Sequence, residues 1–139
     1  MAAHDTGKAR HSRLATAQGL FNLLTGLWPL VHYRSFEAVT GPKTDQWLVK
    51  CVGGLGAAGG YAQLRAGTSA GGKAAARRLG AGMAATFAAI DLVYAGSGRI
   101  SRIYLLDAVV ELGWLAGWAA SASQARKTAR RAGQRQPGN

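Results

Sequence analysis

The sequence predicts an all-α integral membrane protein, a four-helix bundle with both termini in the cytoplasm. Three observations carry that prediction. Four apolar stretches of near-spanning length alternate with short polar connectors. Basic residues gather just outside those stretches, more heavily on one side. The few ionisable residues inside the stretches fall at similar depth. The mean hydropathy of +0.00 averages over this segregation. A chain of 139 residues is one domain by default.

The basic segment 1–13, with Lys8, Arg10 and Arg13, reads as a cytoplasmic N-tail. Residues 14–123 form the membrane domain. Its first span, "LATAQGLFNLLTGLWPLVH" (14–32), has no Asp, Glu, Lys or Arg. It exceeds the ~7–15 residues of a signal-peptide core, and no small-x-small cleavage pattern follows. An uncleaved helix is expected. The second span, "QWLVKCVGGLGAAGGYAQL" (46–64), is Gly-rich and carries Lys50. A central Lys costs about 2.5–3.5 kcal/mol on insertion scales, so neighbouring helices must help it insert. The third is "LGAGMAATFAAIDLVYAG" (79–96) and the fourth "IYLLDAVVELGWLAGWAAS" (103–121). Each approaches the ~20 residues a bilayer core needs. A soluble bundle of the same length requires a charged outer face, which these segments lack.

Orientation follows from Lys and Arg in the connectors. The N-tail, the 65–78 connector (Arg65, Lys73, Arg77, Arg78) and the C-tail (Arg126, Lys127, Arg130, Arg131, Arg135) share one side. The opposite connectors, 33–45 and 97–102, hold fewer bases, offset by Glu37 and Asp45. The Gly/Ser/Ala-rich connector 65–78 is expected to be mobile. The tail 124–139 is expected to be disordered, or a frayed helix on anionic lipid. The clustering of bases beside apolar runs fits membrane anchoring and argues against nucleic-acid binding, despite a net charge of +11. Cys51 is the single cysteine, which excludes an intrachain disulfide and a Cys-rich metal site; a small buried thiol is expected.

At ~1.5 Å per residue, Lys50 lies about 6 Å from the outer end of its span, Asp91 about 8 Å, Asp107 about 6 Å and Glu111 about 12 Å. His32 closes the outer end of the first span. These residues converge in the outer half of the bilayer. In the first span, Gln18, Asn22, Thr25, Pro29 and His32 follow 4-3-4-3 spacing; in the fourth, Asp107, Glu111, Trp114 and Trp118 follow 4-3-4. Such spacing puts each set on one helix face, expected to point inward because lipid satisfies no polar group. The predicted polar site is therefore Glu111, Asp107, Asp91, Lys50, His32 and Asn22. Lys50 alone cannot neutralise three acids. A carboxyl retains its proton (Glu111, the deepest, is the expected one), or Arg99 or Arg102 reaches in, or a cation binds. Pairing of Lys50 with Asp91 or Asp107 purely as a folding device is the competing account.

The connector "HYRSFEAVTGPKTDQW" (32–47) is expected to form one amphipathic turn at "FEAV" and a Gly-Pro turn, with Asp45 capping the next helix. Glu37 and Lys43 are candidates for a lid over the outer mouth. Trp28 and Trp47 are expected interface anchors. The Gly-x-x-x-Gly pairs in "GAAGG" (56–60) and "GWLAG" (113–117) permit close helix contact within the chain or across a dimer.

The string "GLWPLVHYRSFEAVTGPKTDQWLVK" (26–50) resembles small uncharacterised bacterial membrane proteins with four spans, and the layout is similar to DoxX-like four-helix proteins. The resemblance implies the architecture and a bacterial inner-membrane location but no activity. Small multidrug resistance transporters are similar in size but carry their membrane Glu in the first span, which here has no acid.

Transport of a proton, cation or small solute is the first functional expectation, with Glu111 and Asp107 as coupling carboxylates. The alternative is an accessory subunit of a larger membrane complex. Third is an enzyme acting on lipid or quinone, although no nucleophile motif, metal-ligand set or phosphate loop is present and no cofactor is implied. Expected partners are anionic lipids, a second copy or a larger membrane complex.

Overall fold

The computed structural model describes residues 2–66 and 69–134. They form five helices: α1 (Ala2–Val31), α2 (Tyr33–Thr40), α3 (Gln46–Arg65), α4 (Ala70–Gly96) and α5 (Tyr104–Gln134). No strand occurs among the described residues. Three helices are long and apolar enough to cross a membrane, within Arg13–Val31, Ala70–Gly96 and Tyr104–Arg131. Helix α3 is not among them. Its five glycines and Lys50 dilute its hydropathy.

Three helices overrun the predicted spans. α1 starts at Ala2, α4 at Ala70, and α5 continues to Gln134. The added stretches are rich in Ala, Arg, Lys and Gln, all strong helix formers, and contain no Pro. The C-tail, expected to be disordered or a frayed helix on lipid, is helical through Gln134; residues 135–139 lie outside the described residues. Most of the 65–78 connector is likewise helical, capped by Ser69, whose hydroxyl accepts from Gly72 N at 3.0 Å. Gly67 and Thr68 lie outside the described residues.

α1 runs antiparallel to α3 at backbone contact. A Cβ on Gly26 would sit 2.5 Å from both Ala57 N and Gly53 O, and one on Gly60 would sit 2.5 Å from Gly19 O and Leu23 N. The 56–60 pair therefore serves packing inside the chain. Of the 113–117 pair, Gly117 backs onto the Leu14 side chain, while Gly113 faces open space. α4 packs along α5, and α1 also touches α4 and α5. The start of α1, the end of α3, the start of α4 and the end of α5 gather at one end of the molecule, here the terminal end. The 32–45 and 97–103 connectors meet at the other, the connector end, where Gly41 lies against Ser101.

The interior and exterior are inverted relative to a water-soluble protein. Among the described residues the buried apolar side chains are seven alanines, Pro29 and Trp118, whereas Leu24 is 65% exposed, Leu55 69% and Val109 67%. Water would drive leucine and valine inward before alanine. A hydrocarbon solvent imposes no such order, and small residues then set how closely helices approach. Cys51, expected to be buried, is exposed. The buried face of α3 is Gly53, Gly56, Ala57, Gly60 and Gln63, and Cys51 lies off it.

Candidate functional site

Polar side chains are buried at two levels. Nearer the connector end is an acidic level. Asp91 on α4 and Glu111 on α5 are 4% and 1% exposed. Asp107, one turn before Glu111, is half-buried and lies close enough to Asp91 and Glu111 for their carboxylates to repel one another. Asp91 Oδ2 and Glu111 Oε2 are buried and have no hydrogen-bond partner, as is Trp114 Nε1 one turn further along α5. Buried polar atoms are normally paired, so each such orphan calls for an explanation. Among the described residues, no group of three His, Cys, Asp or Glu is disposed to hold a metal ion.

Nearer the terminal end is an amide level. Gln18 Oε1 accepts from Trp118 Nε1 at 2.7 Å and from Gln63 Nε2 at 2.8 Å. Gln18 Nε2 donates to Gly80 O at 2.9 Å. Asn22 Nδ2 approaches Gln63 Oε1 at 3.4 Å and Met83 Sδ at 3.9 Å. Residues of α1, α3, α4 and α5 all join this network. Gly80 makes room for it: a Cβ there would collide with Gln18 Oε1 and Gln63 Nε2.

The connector covers the acidic level. His32 caps α2, its Nδ1 accepting from Ser35 N at 3.3 Å. The expected single turn at "FEAV" is thus an eight-residue helix. Trp28 Nε1 donates to Ser35 Oγ at 2.7 Å, and the Trp28 ring meets Phe36 edge-on at 5.6 Å. Glu37 Oε1 accepts from Lys43 N at 3.1 Å. Lys43 Nζ donates to Thr40 O at 2.7 Å and Gly41 O at 2.9 Å, and lies 5.0 Å from the centre of the Tyr104 ring. Tyr104 is one turn before Asp107, and Thr40 Oγ1 donates to Phe36 O at 2.9 Å. Burial lowers the Lys43 ammonium below its ordinary pKa, while Glu37 opposes the shift. Burial, then Glu37, raises the Tyr33 phenol. Asp45 occupies the N-cap position of α3, but its side chain makes no capping bond.

The predicted site is therefore divided. The structure brings Asp91, Asp107 and Glu111 together and sets Glu37 and Lys43 in the connector above them. Asn22 belongs to the amide level. His32 is exposed and spends its ring on the α2 cap. Lys50 is exposed and sits 6.0 Å from the Tyr33 ring centre, where its ammonium remains outside the interior. Arg99 and Arg102 are also exposed. Thr25 faces outward and donates to Phe21 O at 2.7 Å. The close approach of Gly19 and Gly26 to α3 centres the buried face of α1 near Asn22, leaving Thr25 about 60° away around the helix.

No protein-family model, curated protein or solved structure matches the chain. The site is interpreted from its own chemistry.

Proposed function

We propose that this chain is a four-span protein of the bacterial inner membrane, with cytoplasmic termini, that carries a proton, a cation or a small solute through its acidic level. One observation carries the proposal: one buried carboxyl oxygen on each of Asp91 and Glu111, Oδ2 and Oε2, has no hydrogen-bond partner. Leaving such groups unpaired is costly. A fold that only needed polar stitching already has it in the amide level. In this account Glu111 and Asp107 are the coupling carboxylates, Asp91 is the third acid beside them, and Tyr104, Thr40 and Lys43 form the outer cover. Lys50, first expected beside the acids, takes no part in the coupling.

The fourth span is α3. Its backbone contacts α1 from Gly60 to Gly53, so it accompanies α1 through the same depth. Lys50, near the connector end of α3, would then reach the outer interface. The excess of bases at the terminal end supports the orientation.

The test is dissipation of an imposed pH gradient, read by an entrapped dye in vesicles holding the full chain, alongside Glu111→Gln. Flux that vanishes in the variant supports proton coupling. Equal flux in both removes Glu111 from the mechanism.

A further inference from the structure

An open groove of ≈ 390 Å³ runs along the last turns of α5, lined by Ala119, Ala122, Ser123, Arg126, Lys127 and Arg130. The spacing places these residues on one helix face. Their order changes from small side chains to basic ones toward the C-terminus. If α5 enters the hydrocarbon core at Tyr104, a core of about 30 Å ends near residue 123. Ala119 and Ala122 then lie at acyl-chain depth. Arg126 and Lys127 stand about 5 Å beyond it, within a headgroup layer of roughly 5–8 Å. Arg130 stands about 10 Å beyond the core, past that layer, and its long side chain can fold back into it.

The charge distribution agrees. Segments 1–13, 65–78 and 124–139 contain 12 of the 17 Lys and Arg and only one acid, Asp5. The remaining five bases match the remaining five acids, so the whole net charge of +11 resides in these three segments.

We infer that this groove binds one anionic phospholipid of the cytoplasmic leaflet, its phosphate between Arg126 and Arg130 and an acyl chain over Ala119 and Ala122. The inference rests on the membrane reading proposed above. A basic groove at headgroup depth recognises the anionic headgroup through charge-assisted hydrogen bonds, and the apolar floor requires that the phosphate be attached to a chain.

The experiment is native mass spectrometry of the full chain in mild detergent with equal phosphatidylglycerol and phosphatidylcholine. Wild type is expected to retain phosphatidylglycerol preferentially. The triple variant R126Q/K127Q/R130Q should lose roughly tenfold or more of that retention, since each near-surface base contributes a factor of about five. The charge-matched control K73Q/R77Q/R78Q, at the same end but outside the groove, should retain it. Equal loss in both triple variants would show diffuse attraction and overturn the site, as would equal retention of the two lipids. A chain that stays monodisperse after detergent removal would instead overturn the membrane reading itself.

Discussion

The two buried polar levels are made of similar materials and differ in one respect. The amide level is closed: Gln18, Gln63, Trp118 and the Gly80 carbonyl exchange short hydrogen bonds across four helices. The acidic level is open: two of its carboxyl oxygens, buried as deeply, find no partner. A satisfied network holds helices in register, whereas an unsatisfied one weakens the fold unless something transient completes it. The proposed function accordingly gives the amide level to folding and the acidic level to the proposed carriage. The tail end of α1 and the whole of α3 support the first role, since their glycines bring the backbones close enough for Gln18 and Gln63 to meet.

That division can be broken most severely at the glycines. Gly60→Ala puts a methyl against backbone atoms of Gly19 and Leu23, which cannot yield without separating α1 from α3. A loss of about 3 kcal/mol is expected in thermal unfolding in detergent. Gly80→Ala meets side chains that can move, but moving them breaks the Gln18–Gln63 bond, so about 2 kcal/mol is expected from the same measurement. Trp118→Phe removes one of the two donors to Gln18 Oε1 and leaves the other, so about 1 kcal/mol is expected. Retained full stability in all three would mean that the amide level does not hold the fold.

The smallest effect concerns the cover. Because burial lowers the Lys43 pKa, the fold favours its neutral form. This contribution to stability is fully present above the ordinary lysine value and is lost as pH falls through the lowered one. Unfolding midpoints measured as pH rises toward about 10.5, the ordinary lysine value, should therefore rise slightly more in wild type than in Lys43→Met. Identical slopes would place Lys43 in water rather than under the connector.

Much of this was legible in the chain. The Asp107, Glu111, Trp114, Trp118 stripe was set by helical spacing alone, and the convergence of Asp91 with Asp107 followed from depth. Three features were not legible. Lys50 and His32 matched the acids in depth, but depth does not fix azimuth, and both side chains face outward. On α1, Gln18, Asn22 and Pro29 are buried as the spacing predicts, but Thr25 turns outward because Gly19 and Gly26 centre the contact face near Asn22. Gln63 was passed over because it sits at the very end of its apolar run and carries no charge. Its signal was there, a lone amide on the Gly53, Gly56, Gly60 face of α3.

The most direct test of the division is proton flux per folded molecule, measured in the same vesicle preparation for Glu111→Gln and Gln18→Met. Glu111→Gln should fold at least as well as wild type and carry no flux. Gln18→Met should unfold at lower temperature yet keep wild-type flux for each molecule that remains folded. The reverse pattern, with flux surviving in Glu111→Gln and lost in folded Gln18→Met, would place the working site at the amide level and contradict the account.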